Sequence, residues 1–142
     1  MKPVSHLLQK RGDTLWHVRP EDTVFSALEL LARHEIGALV VMDGGRLVGI
    51  VSERDYTRKV ALQGRSSKDT PVSEIMTREV FIVTPATGTR ECMALMSERK
   101  FRHLPVVENG TVLGMISIRD IMDDIIADHE NTIAQLETYI QS

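Results

Sequence analysis

The sequence predicts an α+β (mixed α/β) fold in which a β-α-β-β-α unit occurs twice and an extended C-terminal helix follows. The first observation is a duplication. Sliding residues 18–55 over residues 83–120 without a gap matches ten of 38 positions, where average composition gives about two or three by chance. The second is a glycine turn between two β runs in each copy, and the third is a helical apolar period that outlasts the second copy.

The composition places the chain among ordinary globular proteins, with 42% hydrophobic and 26% charged residues in 142. A net charge of −3 offers no broad attraction for nucleic acid or for an anionic membrane. A single cysteine, Cys92, excludes an internal disulfide and is typical of a reducing compartment. Because no signal peptide or membrane span is visible, we expect a cytoplasmic protein.

The first half of repeat 1 contains a helix, a short strand and a second helix. The short helix is predicted over residues 3–8 and the extended segment over residues 15–18, with a loop at residues 10–12 because repeat 1 is longer there. Asp22 is the predicted cap of the second helix. Its buried face follows the i, i+3, i+4, i+7 spacing, with Val24, Ala27, Leu28 and Leu31.

The second half of repeat 1 is a hairpin and a helix. Residues 38–42 and 47–51 read as strands about an Asp-Gly-Gly turn. The twin turn, Asn109-Gly110, is a stronger hairpin signal. A helix over about residues 52–63 closes the repeat.

The second repeat has the same elements, with its first long helix beginning at Thr87, and a longer final helix. We therefore divide the chain into a first domain at residues 4–63, a linker at 64–71, a second domain at 72–127 and a helical extension at 128–142. The extension carries apolar residues mostly at helical spacing, which indicates a surface for a second chain. These are Ile133, Leu136 and Ile140, continuing from Ile125.

The motif Ser-x-Arg-Asp ends both hairpins, as Ser52–Asp55 and Ser117–Asp120. One interpretation is structural, since Ser-x-x-Asp before a helix forms a capping box. The other is a ligand site, because a helix N-terminus attracts phosphate, a carboxylate accepts from a vicinal diol, and an arginine fork fits phosphate oxygens. The two interpretations are compatible, because one aspartate can begin a helix and hold a ribose.

These repeats resemble the cystathionine-β-synthase (CBS) domain family. The resemblance rests on the two Gly-x-x-Ser-x-Arg-Asp closures, the Val-Thr-Pro segment at 83–85 and the run His-Leu-Pro-Val-Val at 103–107. Residues 49–60 are similar to small bacterial proteins that consist of a CBS pair alone. The resemblance implies two repeats packed about a pseudo-twofold axis, with two clefts for AMP, ADP, ATP, NAD or S-adenosylmethionine. It also implies a regulatory module without catalytic residues.

The resemblance also assigns residues to each cleft. The first cleft would contain Ser52, Arg54, Asp55, Val80, Phe81, Arg102, His103 and Pro105. The second would contain Leu15, Trp16, Gly37, Ala38, Ser117, Arg119 and Asp120. The second cleft has Gly-Ala-Leu-Val at residues 37–40 where the first has Arg-His-Leu-Pro at residues 102–105, so it lacks the cation and the proline of that run. We therefore expect the first cleft to be the better site for a phosphate-bearing ligand.

Several of these side chains also have a purely structural interpretation. His103 is either a buried strand residue or a phosphate contact, and Trp16 either covers the core or stacks on adenine. Arg58 and Lys59 fit a solvated helix face, and Cys92 fits an apolar helix face. The five histidines show no metal-ligand spacing, so we expect no metal.

The sequence therefore predicts a non-enzymatic module that binds an adenine nucleotide and signals by changing conformation. AMP and NAD are the favoured ligands. We expect a homodimer, with an unidentified protein partner as a further possibility and no membrane or nucleic-acid partner. The alternative is a ligand-free interaction module that acts through dimerisation and its C-terminal helix. An enzyme is disfavoured, because no nucleophile–base set is visible.

Overall fold

The structure is a computed structural model that describes residues 2–11 and 14–141. Its helices are α1 (Val4–Arg11), α2 (Val24–His34), α3 (Glu53–Tyr56), α4 (Thr89–Arg99) and α5 (Ile118–Gln141). Its strands are β1 (His17–Val18), β2 (Ala38–Asp43), β3 (Arg46–Ser52), β4 (His103–Glu108) and β5 (Thr111–Ser117). The predicted mixture of helices and small sheets with a long final helix is confirmed. In the part of the chain that is described, no helix is long and apolar enough to cross a membrane.

The two hairpins have the same register, which confirms the duplication at the level of single residue pairs. Ala38 pairs with Ser52 at the end of one hairpin, and His103 pairs with Ser117 at the end of the other. Each ladder is irregular at the matching place, after Val41 in β2 and after Val106 in β4. The Ser-x-Arg-Asp motif therefore begins at the equivalent, last residue of the second hairpin strand in both repeats.

Both hairpins turn through two residues with positive φ. The angles are 58° and 83° at Gly44 and Gly45, and 52° and 78° at Asn109 and Gly110. Positive φ at both central positions matches the right-handed twist of the strands. This is why glycine and asparagine stand at these turns.

The chain forms two compact units that do not follow the order of the repeats. A central unit comprises residues 14–82, and a terminal unit comprises residues 83–141 with the helix α1. In the terminal unit α1 packs on β5 and α5, and Val4 N donates to Thr87 O at 2.8 Å. In the central unit a 3₁₀ turn over Val72–Glu74 is held by Val72 N donating to Asp22 O at 2.8 Å. The opening segment of each repeat thus packs in the unit that holds the other repeat's hairpin.

Each unit has its own apolar core. The fully buried side chains of the central unit include Val24, Leu39, Val51, Val60, Val72 and Ile75. Those of the terminal unit include Val4, Cys92, Leu104, Val106, Ile116 and Ile121. Cys92 therefore lies on a buried helix face, as its spacing predicts. The predicted domain bounds follow the two sequence repeats. The two units follow the packing of the chain, so they coincide with the repeats only in part.

The predicted starts of α2 and α4 were wrong. Thr23, not Asp22, caps α2, because its side chain accepts from Ser26 N at 3.1 Å. Asp22 instead accepts from Arg19 N at 2.8 Å and so holds the preceding turn. Thr87 has the same position ahead of α4, which begins at Thr89. Both side chains stabilise the turn that enters the helix rather than the helix itself.

Two further bounds were also wrong. Lys10 and Arg11 lie in α1 rather than in a loop, and Gly12 lies outside the described residues. The helix that closes repeat 1 continues from α3 as one π-helical segment, Thr57–Ala61, and ends there rather than at residue 63.

Candidate functional site

The first Ser-x-Arg-Asp motif forms a complete capping box at the N-terminus of α3. Asp55 Oδ2 accepts from Ser52 N and from Ser52 Oγ, each at 3.0 Å. Asp55 N donates to Ser52 Oγ at 3.2 Å. Reciprocal bonds of this kind satisfy backbone donors that the helix leaves unpaired. The structural interpretation of the motif is therefore correct, and it fixes the Asp55 carboxylate at the start of the helix.

The second motif has the same arrangement at the start of α5. Ser117 N donates to Asp120 Oδ2 at 2.7 Å, and Asp120 N donates to Ser117 Oγ at 3.1 Å. Both aspartates are half-buried. The arginine between serine and aspartate, Arg54 or Arg119, is exposed in each copy. Each motif thus places a fixed carboxylate and an exposed guanidinium on the first turn of a helix.

Lys59 and Thr77 complete the surroundings of Asp55. Lys59 Nζ lies 3.2 Å from Asp55 Oδ1 and donates to Ile75 O at 2.8 Å. Thr77 Oγ1 donates to the same carboxylate oxygen at 3.5 Å. The sequence interpretation of Lys59 as a solvated side chain missed this contact. The available signal was the i, i+4 spacing of an acid and a lysine on one helix.

The position that corresponds to Lys59 in the second copy is an acid, Asp124. Its side chain is 6% exposed, and its Oδ1 accepts from Lys10 Nζ at 2.8 Å. Lys2 Nζ and His6 Nε2 lie at 3.6 and 3.5 Å from the same oxygen. The hydrogen bond from Lys10 holds the pKa of Asp124 below its ordinary value. Asp124 therefore joins α1 to α5, whereas Lys59 serves the carboxylate of its own motif.

The start of each hairpin lies beside the motif of the same unit. Glu53 N donates to Gly37 O at 3.1 Å, and Ile118 N donates to Arg102 O at 2.9 Å. Residues 37–38 are therefore neighbours of Ser52–Asp55, and residues 102–103 are neighbours of Ser117–Asp120. The sequence pairs each motif with the hairpin start of the other repeat, and that pairing stays a prediction.

The remaining predicted residues of the first cleft differ in burial. Val80 and Phe81 are half-buried at the end of the central unit, and Pro105 is buried in β4. Pro105 O accepts from Val83 N at 3.0 Å. This bond holds Val83 beside β4, as β1 lies beside β2. The structure brings Pro105 together with the Val-Thr-Pro segment.

One predicted residue of the second cleft, Trp16, stacks on a ring outside the predicted set. Leu15 is half-buried and Ala38 is buried. Trp16 is 39% exposed, and its ring stacks on His34 with 3.5 Å between centroids and 12° between planes. Trp16 is thus a surface aromatic rather than a core side chain, and stacking on adenine stays a prediction. Within the described residues, no group of three or more potential metal ligands is placed to hold an ion.

The family model of the CBS domain matches this chain twice, at residues 13–62 and 72–127. The chain belongs to the CBS domain family. This CBS pair is 42% identical over 135 residues to the CBS domain-containing protein CBSX3, mitochondrial, of Arabidopsis thaliana, covering 92% of this chain. The chain spans 65% of that relative's length and 20% of the length of the CBSCBSPB5 protein of the same plant, to which it is 37% identical over 78% of its own residues.

Solved structures share the fold. A protein with CBS domains from Burkholderia ambifaria superposes with a TM-score of 0.86 at 49% identity, over 89% of this chain and 96% of that one. The CBS domain pair of protein MJ0100 superposes with a TM-score of 0.80 at 23% identity, over 90% and 98% of the two chains. That protein was solved in complex with 5′-methylthioadenosine and S-adenosyl-L-methionine.

Proposed function

We propose that this CBS pair is a non-enzymatic regulatory module that binds an adenosine-containing ligand. AMP and NAD are the favoured candidates, followed by ADP, ATP and S-adenosylmethionine. The observation that carries the proposal is the duplicated helix N-terminus, where a fixed carboxylate and an exposed arginine stand together. The adenosine ligands of the MJ0100 pair support the same class of ligand.

The chemistry of the first turn of α3 suits a nucleoside phosphate. The carboxylate of Asp55 accepts hydrogen bonds only, so ribose hydroxyls are suitable donors to it. Arg54 and the positive end of the helix offer charge to a phosphate. Lys59, which already contacts Asp55 at 3.2 Å, adds a second cation at 45% exposure. Ser52 and Asp55 would thus hold the ribose, while Arg54 and Lys59 face the phosphate.

The proposed signal is a shift between conformations of the pair. A ligand shifts such an equilibrium only by the difference between its affinities for the two states. We include in the proposal a homodimer, an unidentified protein partner that detects the shift, and the cytoplasmic location that the sequence predicts.

The test is calorimetric titration of AMP and NAD into wild type, Asp55→Ala and Asp120→Ala. We expect Asp55→Ala to lose more affinity, because the sequence assigns Arg102 and His103 to the ligand that Asp55 holds. Equal losses, or the larger loss for Asp120→Ala, would contradict that ranking.

The capping role of Asp55 needs its own control. Asp55→Asn keeps an oxygen that accepts from Ser52 N but removes the charge, so it should recover most of the stability lost by Asp55→Ala. It should not recover the affinity, because an amide is a poorer acceptor for a diol. Recovery of both would mean that Asp55 acts only as a cap.

A ligand-free interaction module is the second candidate. The observation that favours it is the row of exposed apolar side chains on α5, among them Ile133 at 56% and Ile140 at 80% exposure. If no adenosine ligand binds and association through α5 is found, this candidate replaces the first.

A further inference from the structure

The exposed part of α5 carries a continuous stripe of mostly apolar side chains. We call it the α5 stripe, and it consists of Met122, Ile126, His129, Ile133, Leu136 and Ile140. Its apolar members are 53–80% exposed, and every side chain from His129 to Thr138 is exposed. Large apolar side chains exposed in one continuous row are typical of an interaction surface.

The spacing of the stripe alternates between four and three residues, which is the heptad spacing of a coiled coil. Isoleucine occupies the a positions, at Ile126, Ile133 and Ile140. The d positions are Met122, His129 and Leu136. A β-branched residue at a with leucine at d favours a parallel two-stranded coil, and the stripe meets this rule at all three a positions and at one d position, Leu136.

The stripe is not needed by the core of its own unit. Ile121 is 0% exposed and Asp124 is 6% exposed, and these positions are c and f of the same heptads. Ile121 and Asp124 therefore mark the helix face that packs inside the terminal unit, opposite the stripe. The 24 residues of α5 are about 36 Å long at 1.5 Å per residue, which is enough for three full heptads.

We propose that the α5 stripes of two copies of this chain pair as a parallel two-stranded coiled coil. The e positions are all acidic, with Asp123, Glu130 and Glu137. An antiparallel pair would bring these acids against each other. A parallel pair places them opposite the g positions of the other copy, among them Ile125 and Thr132, so like charges do not meet.

The charge of this segment disfavours a lipid surface as the occupant. Residues 121–142 contain no lysine or arginine, and anionic lipid surfaces attract basic helices. A second copy needs no opposite charge on its flanks, because the parallel pairing already separates the acids.

His129 would be the polar layer of this coil, between Ile126 and Ile133. A polar residue at an interior position costs stability and fixes the register of the strands. His129→Leu should therefore strengthen the pairing, by about tenfold or more in dissociation constant. The inference depends on the homodimer of the proposed function but not on any nucleotide.

The first experiment is sedimentation equilibrium of the full chain without nucleotide. Ile133→Glu/Leu136→Glu should raise the dimer dissociation constant more than about 100-fold, since two charges per chain enter the coil interior. The matched control, Asn131→Glu/Gln135→Glu, adds the same charge at f and c positions and should change the constant by less than about threefold.

Each result of this experiment has a defined meaning. A dimer that resists Ile133→Glu/Leu136→Glu would overturn the stripe as the interface while leaving the homodimer standing. A chain that stays monomeric at every concentration, with or without His129→Leu, would overturn both. A trimer or tetramer would overturn the two-stranded coil.

A cysteine at the end of the stripe tests the orientation. In a parallel coil Ile140→Cys should form a covalent dimer with oxidised glutathione, because residues at one a position face each other within disulfide reach. Cys92 is 0% exposed and should not compete. If Ile140→Cys instead links only to Met122→Cys in a mixture of the two variants, the strands are antiparallel and the proposal is wrong.

Discussion

Gly49 and Gly114 occupy equivalent strand positions, 65 residues apart. Replacing Gly49 with alanine should nevertheless destabilise the protein more than the same change at Gly114. A Cβ at Gly49 would lie 2.8 Å from Met76 Sδ and 2.9 Å from Thr77 O. Ordinary contacts of a Cβ are 3.4–4 Å. Thr77 cannot retreat freely, because Ile50 N donates to Thr77 O at 3.0 Å and Thr77 N donates to Ile50 O at 2.8 Å.

The contact at Gly114 is of a different kind. A Cβ there would lie 2.9 Å from Leu8 Cδ2, the far end of a flexible side chain that can move aside. Overpacking against a fixed group costs about 1–3 kcal/mol, and replacing glycine returns about 0.4–1 kcal/mol through the unfolded chain. Gly49→Ala should therefore lose about 1–2 kcal/mol net, and Gly114→Ala should stay within about 0.5 kcal/mol of wild type.

Urea unfolding followed by circular dichroism measures both variants. With a slope of about 1–3 kcal/mol per molar urea, Gly49→Ala should lower the midpoint by about 0.5–1 M. Gly114→Ala should scarcely move it. Equal losses of stability, or a larger loss for Gly114→Ala, would contradict the contacts of Gly49 with Met76 and Thr77 and of Gly114 with Leu8.

Two further predictions concern buried groups of the terminal unit. The hydrogen bond from Lys10 lowers the pKa of Asp124 from 3.8, so its contribution is present above that value and lost as pH falls through the lower folded pKa. Asp124→Asn should lower the free energy of unfolding by about 1–2 kcal/mol at pH 7. The loss is no larger because Lys10, the hydrogen-bond donor to Asp124, is half exposed and its charge is partly screened. In urea titrations the difference from wild type should shrink below about pH 4, and a constant difference from pH 3 to 7 would contradict the ion-pair assignment. Burial raises the pKa of the Cys92 thiol to about 11, so a thiol reagent should label it at least about 100-fold more slowly in the folded protein than in urea, and equal rates would show that α4 opens readily.

The hairpins and their motifs could be predicted because their signals are local. The tight turns at Gly44-Gly45 and Asn109-Gly110 need positive φ, which glycine and asparagine adopt readily, and the turn then fixes which residues of the two strands pair. The capping boxes at Asp55 and Asp120 follow from three-residue spacing alone.

The packing of the opening segments could not be predicted from such signals. The periodicity of α1 gives its helical form, but a face of a helix does not name the sheet on which it packs. Pro3 matches Pro71 at an offset of 68 residues, which shows that the two opening segments are equivalent but not which sheet each one contacts. The Lys10–Asp124 contact crosses 114 residues, and only the assembled unit shows it.

The proposal that this CBS pair binds an adenosine-containing ligand is tested by a nucleotide thermal-shift series. AMP, ADP, ATP, NAD and S-adenosylmethionine would each be added to wild type and to Asp55→Ala/Asp120→Ala. A ligand at 100 times its dissociation constant stabilises by about 2.7 kcal/mol, which is about 5–10 °C for a chain of this size. We expect such a shift for wild type with AMP or NAD and none for the double variant. No shift with any of these ligands at millimolar concentration would contradict it.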